Sequence, residues 1–324
     1  MLFHSVKRPI ALSVVNLNQV IEAQKTQLQQ ATKANHKSKV CQRFCLFKSK
    51  ENKQQDKKNG DKTVFVLDFV GDIKASAVER LREEISAVIT SAKAGDEVVV
   101  RLESAGGQVH GYGLAAAQLE RIRQAGLTLT ICVDKVAASG GYMMACVADK
   151  VLATPFAIVG SIGVVSQMPN FHEWLKKHDI DVELFTAGEY KRTVTMFGKN
   201  EEADRAKYQS ELERIHELFK QHVAHYRPAL DMSKVATGEF WFGHDAKALG
   251  LVDEFSTSDA YILAQIQEGT VLHLHAHQKP NLMEKLGLSE MASSSFGGLI
   301  DTAKDKLVQG LSAPSTKLNQ HVSL

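Results

Sequence analysis

The chain has 324 residues, of which 44% are apolar and 23% charged, a composition that allows a sizeable globular core. Its net charge of +2 is unevenly distributed, because residues 1–62 carry 13 Lys and Arg against 4 Asp and Glu. The basic excess is therefore confined to one segment, and we do not expect nucleic acid as a partner. A basic segment of this kind is commonly a solvated linker and less often lies against anionic lipid.

The N-terminal region holds a short apolar run, Ile10–Val15, which follows Lys7 and Arg8. A membrane-spanning helix needs about 20 apolar residues, so this run predicts no transmembrane segment in the chain as given. It also lacks the small-residue cleavage site of a signal peptide. The sequence itself therefore indicates no segment that crosses a membrane.

The cysteines indicate neither a disulfide framework nor a metal site. Cys132 and Cys146 lie in apolar runs and are predicted to be buried, whereas Cys41 and Cys45 lie in the basic segment without a second Cys or His pair at zinc-finger spacing. The thirteen histidines include His216, His222 and His225 on one long helix, but no metal motif accompanies them, so we interpret them as surface residues. No metal and no cofactor is predicted.

Strand-like and helix-like patterns alternate from residue 63 onwards, which favours an α/β fold built from parallel βαβ units. The predicted strands are 63–69, 97–102, 127–133, 151–153, 158–165 and 181–185. The predicted helices are 76–92, 114–125, 171–178, 201–226 and a short one within 240–253.

These patterns divide the chain into three parts. Residues 1–62 are predicted to be a basic, Gln- and Lys-rich tail or linker with at most one weak amphipathic helix. Residues 63–276 form the predicted domain, and residues 277–324 a C-terminal extension with one amphipathic helix that includes Leu299 and Leu307.

Three loops after predicted strands are rich in small residues, namely 104–107, 137–141 and 160–163. Ligands of parallel α/β sheets bind at the carboxyl ends of the strands, where such loops lie. Two Gly-Gly turns after different strands can each donate one backbone N–H to the same oxygen, which is the requirement of an oxyanion hole. We assign Gly107 and Gly140 as these donors and expect a Cβ at position 140 or 141 to crowd a substrate carbonyl. Each turn taken alone can also be an ordinary tight turn.

Ser139 precedes an apolar helix-like run and has two interpretations from its neighbours alone, an N-cap or a nucleophile, of which the cap is the commoner role. A nucleophilic serine needs a base. His110 with Asp134 would complete one triad. Lys191 is the other candidate, although its pKa would have to fall by about 3 from 10.4 for it to act near neutral pH.

Four segments resemble, in order and spacing, the signal peptide peptidase A family, which is serine peptidase family S49, and within it the bacterial SohB type. They are Glu103–Gly107, Lys135–Ala145, Ile158–Val164 and Thr186–Arg192. The resemblance implies a ClpP/crotonase-like fold and a Ser-Lys dyad, with Ser139 as nucleophile and Lys191 as general base. It further implies that Ser161 orients the lysine amine and that Gly107 and Gly140 form the oxyanion hole.

The resemblance also implies a homo-oligomeric serine endopeptidase that acts on peptide or protein substrates, such as signal peptide remnants or membrane-associated proteins. Lys191 would then come from the same or an adjacent subunit. The family's location is the periplasmic face of the bacterial inner membrane, whereas this chain lacks the initial membrane helix of SohB-type members and has Ala105 where many have proline. Either an upstream segment is missing or the protein is peripheral. The alternatives are a crotonase-like acyl-CoA enzyme and a catalytically inactive scaffold.

Overall fold

The structure is a computed structural model that describes residues 10–34 and 62–278. Contacts group Leu12–His277 into one compact unit, and of the second unit, Met1–Ala11 with Gln278–Leu324, only Ile10, Ala11 and Gln278 are described. The amphipathic helix predicted in the C-terminal extension, together with Cys41 and Cys45, lies outside the described residues.

The described residues form ten strands and nine helices that largely alternate along the chain. The strands are β1 (Ile10–Asn16), β2 (Thr63–Val70), β3 (Glu97–Glu103), β4 (Thr128–Val133), β5 (Val136–Ala138), β6 (Lys150–Ala153), β7 (Ile158–Gly160), β8 (Phe240–Phe242), β9 (Glu254–Phe255) and β10 (Thr270–Gln278). The helices are α1 (Leu17–Ala34), α2 (Val78–Ser91), α3 (Val109–Gln124), α4 (Gly140–Ala145), α5 (His172–Lys176), α6 (Glu202–Tyr226), α7 (Met232–Val235), α8 (Gly243–Ala248) and α9 (Ser258–Glu268).

Seven strands form the main sheet in the order β1-β10-β2-β3-β4-β6-β9. The pairings from β10 through β2, β3, β4 and β6 to β9 are all parallel. A smaller sheet has the order β5-β7-β8, in which β5 and β7 are parallel and β7 and β8 antiparallel. The predicted α/β class with a parallel sheet of the ClpP/crotonase type is thereby confirmed.

Both faces of the main sheet are covered, which explains why its strands are apolar without clear alternation. On one face, Leu67 and Phe69 of β2 belong to the large core that α2, α3 and α4 complete. On the other face, Val64 and Val66 pack with Ile262 of α9. Cys132 and Cys146 are buried in these two cores, as the sequence predicted, and burial raises the pKa of both thiols.

Two predicted elements differ in the structure. Residues 181–185 form no strand, and their side chains are exposed, because the apolar pattern there meets no partner strand within the described part of the chain. The strand predicted at 158–165 ends at Gly160, because Ser161 turns away with φ +51° and donates its N–H to the Glu239 carbonyl. The structure also contains α9 and β10, which the sequence patterns did not predict.

The segment predicted as a basic tail contains β1 and α1. The first turn of α1 is connected to the start of β10 through Asn18, whose side chain donates to the Gly269 carbonyl and accepts from the Val271 N–H, both at 2.8 Å. Leu17 packs against the core beside α9. Among the helices in the described residues, none is both long and apolar enough to cross a bilayer.

Candidate active site

Ser139 lies on a strained turn between β5 and α4. Its backbone has φ +52° and ψ −118°, a conformation that L-residues rarely adopt and that tends to occur at functional sites. Two backbone bonds hold the turn: the Ser139 N–H donates to the Gly160 carbonyl at 2.8 Å, and the Ser139 carbonyl accepts from the Met143 N–H at 2.9 Å. The fold therefore fixes the direction of this side chain.

The side chain of Ser139 does not cap α4. The residue stands at the N-cap position, but its hydroxyl makes no capping hydrogen bond to the first turn of the helix. Ser139 instead lines a cavity of about 890 Å³. Of the two interpretations that the sequence left open, the side-chain cap is therefore not formed.

The loop after β3 is tied to the strand that leads into Ser139. The backbone N–H of Ser104 donates to the Val136 carbonyl at 2.8 Å, and the backbone carbonyl of Ser104 accepts from the Ala138 N–H at 3.0 Å. Its hydroxyl accepts from the Gly106 N–H at 3.0 Å and is hydrogen-bonded to the Tyr112 hydroxyl. These bonds hold the first Gly-Gly turn against the second one, at Gly140.

The approach of the two glycine turns leaves no room for side chains. A Cβ on Gly140 would lie 2.4 Å from Cγ of Tyr112, and one on Gly141 would lie 2.5 Å from the Ser104 carbonyl oxygen. The structure thus gives a different reason for these glycines from the predicted crowding of a substrate: the protein itself occupies the space. Tyr112, which is fully buried under this turn, was missed in the sequence because it resembled an ordinary core aromatic.

Ser161 lies beside Ser139 at the ends of two paired strands. Ala138 of β5 is in register with Gly160 of β7, so the two serines follow directly after neighbouring positions. Ser161 also has a positive φ, +51°, and its hydroxyl donates to the Gly238 carbonyl at 3.3 Å. The parallel pairing therefore brings the second and third small-residue loops together.

A cavity of about 890 Å³ lies over these loops. Of the predicted site residues, Gly107, Ser139, Gly140 and Ser161 line it. Helix α6 contributes another wall through Tyr208, Leu212, Ile215, His216 and Phe219. None of the described residues that line it is Lys, Arg, Asp or Glu, so a polypeptide backbone with uncharged side chains fits its chemistry.

Lys191 does not line this cavity. It lies in an exposed turn, where its N–H donates to the Gly188 carbonyl at 3.1 Å. Its neighbour Tyr190 lies under the ammonium group of Lys207, 5.0 Å from the ring centroid, which connects the turn to the first half of α6. Within the described residues of one chain, the structure therefore does not bring Lys191 together with the lining of the Ser139 cavity.

The alternative base is not assembled either. His110 is exposed on α3 and does not line the cavity. The carboxylate of Asp134 accepts hydrogen bonds from the N–H and the hydroxyl of Ser258, at the start of α9. Asp134 belongs to a smaller cavity with Arg101 and Cys132. The Ser139-His110-Asp134 triad is therefore not present.

Two histidines of α6 are not surface residues, contrary to the sequence interpretation. His216 and His222 are half-buried, and the Nε2 atom of each contacts a backbone carbonyl oxygen, that of Ile162 at 3.1 Å and that of Met143 at 2.9 Å. Burial lowers the pKa of His222, which favours the neutral ring. His225 is exposed. No group of three or more His, Cys, Asp and Glu in residues 10–34 and 62–278 has the arrangement of a metal site.

Two family descriptions match successive parts of the sequence. Residues 4–119 match the model described as peptidase family S49 N-terminal, and residues 121–271 match peptidase family S49. The second match includes Ser139, Ser161 and Lys191, and the first includes Gly107.

Three similar proteins are each described as "probable protease SohB". The one from Haemophilus influenzae is 60% identical over 224 residues, which are 69% of this chain and 64% of that protein. The one from Buchnera aphidicola subsp. Acyrthosiphon pisum is 53% identical over 72% of this chain and 69% of its own length. The one from Buchnera aphidicola subsp. Schlechtendalia chinensis is 46% identical over 81% of this chain and 89% of its own.

The match to the Haemophilus protein thus leaves about a third of that protein uncovered, whereas the match to the second Buchnera protein covers most of it. The predicted resemblance to a family of peptidases is confirmed, since matches to both of its models and close relatives of the same description agree. The chain therefore belongs to peptidase family S49.

Proposed function

We propose that the chain is a serine endopeptidase that cleaves peptide bonds through an acyl-enzyme on Ser139. The observation that carries the proposal is that Ser139 lies on a strained turn at the start of α4, in a cavity of about 890 Å³, with a hydroxyl that does not cap the helix. Backbone N–H groups at a helix start favour developing negative charge. Membership of peptidase family S49 supports the same reaction class.

In this reaction the Ser139 hydroxyl attacks the carbonyl carbon of the substrate while the base removes its proton. The N–H groups of Gly107 and Gly140 stabilise the oxyanion, each by about 3 to 4 kcal/mol in the transition state. The leaving amine takes a proton from the protonated base, and water then hydrolyses the ester to release Ser139.

Lys191 is the base in this proposal, with Ser161 orienting its amine. Because Lys191 is exposed and does not line the Ser139 cavity of its own chain, either its turn moves into the cavity or a second subunit supplies it. Two exposed apolar side chains support a homo-oligomer: Val165, which lines the Ser139 cavity and is 91% exposed, and Phe185, which precedes Lys191 by six residues and is 85% exposed. Membrane association through the N-terminal region and a periplasmic location belong to the same proposal, as do peptide remnants and membrane-associated proteins as substrates.

The test uses Ser139→Ala, Lys191→Ala and Ser161→Ala with labelled casein as substrate. We expect the first two variants to lose hydrolysis and to keep their circular dichroism and oligomeric state, and the third to be slowed. A fluorophosphonate probe should label the wild type at Ser139, as peptide mapping would verify. An unlabelled, inactive wild type would favour the scaffold alternative, and full activity of Ser139→Ala would exclude the proposed nucleophile.

A mixing experiment decides where Lys191 acts. Ser139→Ala and Lys191→Ala chains are dissociated, mixed and reassembled, then assayed with casein. If Lys191 serves a neighbouring subunit, the mixture recovers activity, because some interfaces then pair an intact Ser139 with an intact Lys191. If the lysine serves its own chain, every site in the mixture lacks one partner and the mixture stays inactive.

A further inference from the structure

Helix α6 contacts the two active-site segments through imidazole rings. His216 reaches the carbonyl of Ile162, the residue after Ser161, and His222 reaches the carbonyl of Met143, in the helix that begins after Ser139. A carbonyl oxygen only accepts hydrogen bonds, so Nε2 carries the proton in both rings. Each ring therefore donates to backbone that follows one of the two serines.

Hydrogen bonds to three other segments of the chain hold the loop at Ser161. The Gly160 carbonyl accepts from the Ser139 N–H at 2.8 Å, and the Ser161 N–H donates to the Glu239 carbonyl at 2.7 Å. The Ile162 carbonyl is bonded to His216, and the Ile162 side chain is fully buried. These bonds fix three successive residues of a loop whose backbone is strained at Ser161, with φ +51°.

His216 also lines the cavity, together with Ser139 and Ser161. It is thus placed between the wall that α6 forms and the loop that carries Ser161. Without its hydrogen bond, the Ile162 carbonyl would be left without its side-chain partner, and the loop would lose the connection to α6 nearest to Ser161; the next one is the bond between the Ser166 and Tyr208 hydroxyls. A shift of this loop would move the Ser161 hydroxyl relative to Ser139.

We propose that His216 is a positioning residue for hydrolysis: its Nε2–H holds the Ile162 carbonyl and thereby the Ser161 hydroxyl in the orientation that the reaction needs. This inference rests on the proposed peptidase function. His216 acts through the loop and exchanges no proton with the substrate.

The test compares side chains that can and cannot supply the same donor. The amide nitrogen of Gln lies about as far from Cα as Nε2 of His, whereas that of Asn corresponds to Nδ1. His216→Gln should therefore keep the bond, and His216→Asn and His216→Ala should lose it. His225→Gln is the matched control, because His225 is an exposed histidine of the same helix.

Casein hydrolysis gives kcat and KM, fluorophosphonate labelling gives the reactivity of Ser139, and thermal unfolding gives the stability of each variant. We expect His216→Ala and His216→Asn to lower kcat by about 10- to 100-fold, the effect of one lost hydrogen bond that orients a catalytic group. KM should change by less than about threefold, because the other residues that line the cavity remain. His216→Gln and His225→Gln should stay within about threefold of the wild type in kcat.

Two results would overturn the inference. One is a wild-type rate in His216→Ala, and the other is an equal loss in His216→Gln and His216→Ala at equal thermal stability, because rescue by the donor would then be absent. A wild type that neither cleaves casein nor reacts with the probe overturns the proposed function, and this inference with it. If the wild type is active but His216→Gln loses as much kcat as His216→Ala, only the inference about His216 is overturned and the proposed function stands.

Discussion

Gly95 and Gly106 have the same backbone torsion, φ +92°, but very different surroundings. Around Gly95 nothing lies within 4 Å of where a Cβ would be. A Cβ on Gly106 would lie 2.7 Å from the Gly140 nitrogen and 2.8 Å from the Ser139 Cβ. Alanine at the two positions therefore separates backbone strain from crowding of the Ser139 turn.

The expected magnitudes follow from this geometry. Alanine with a positive φ costs about 1–2 kcal/mol of folding free energy, and both variants should lose about this much. At Gly106 the Ser139 turn must also move by about 0.7 Å before the 2.7 Å contact with the Gly140 nitrogen reaches an ordinary 3.4 Å. Since a misplacement of 1 Å can cost about 100-fold in rate, we expect Gly106→Ala to lose roughly 30- to 100-fold in kcat.

The assay combines urea unfolding with casein hydrolysis for the wild type, Gly95→Ala and Gly106→Ala. Gly95→Ala should be less stable than the wild type but should have the same kcat in the absence of urea. Gly106→Ala should be similarly destabilised, and its kcat should be low even in the absence of urea, where the variant is folded. Equal kcat for the two alanine variants would refute the reasoning, because it would mean that the contact between the glycine turns does not position Ser139.

Two further predictions concern stability. Burial raises the pKa of Glu84, which is 1% exposed, from 4.5 to about 7, so the unfolded chain releases this proton at lower pH than the folded chain. The Glu84 contribution to the free energy of unfolding therefore falls by about 3 kcal/mol as the pH rises from 4.5 to above 7. The variant Glu84→Gln should remove this decrease, and its amide oxygen keeps an acceptor for the Ala276 N–H. Arg227→Ala should cost about 2–3 kcal/mol, because Arg227 is 11% exposed and forms two hydrogen bonds with Asp253, at 2.7 and 2.9 Å.

Both stability predictions are checked by urea unfolding, the first across pH 4.5–8. Glu83→Gln, at an exposed neighbour on α2, and Lys234→Ala, in an exposed ion pair with Asp231, are the respective controls. A pH slope that survives in Glu84→Gln would contradict the assignment of the slope to this carboxyl. A loss in Lys234→Ala as large as that in Arg227→Ala would contradict the role given to burial of the Arg227 ion pair.

Much of the fold was predictable because its signals are local. The strands β2, β3 and β4 are continuous apolar runs rich in β-branched residues, and α2 and α6 show helical periodicity that burial of one face requires. The four segments that resemble family S49 are likewise linear in the sequence. Residues 181–185 show the limit of such signals, because a strand also needs a partner edge and a local pattern does not contain one.

The sequence by itself determined the class of fold, the family and the candidates Ser139, Ser161, Gly107 and Gly140, since each depends on residue type and order along the chain. Only the tertiary structure decided that the Ser139 hydroxyl leaves α4 uncapped and that Gly140 rests on Tyr112. It also decided that His216 of α6 contacts the Ser161 loop, 54 residues away, and that Lys191 stays outside the cavity. The physical reason is that hydrogen bonds and packing between distant segments depend on how the helices and strands are arranged in space, which residue order alone does not specify.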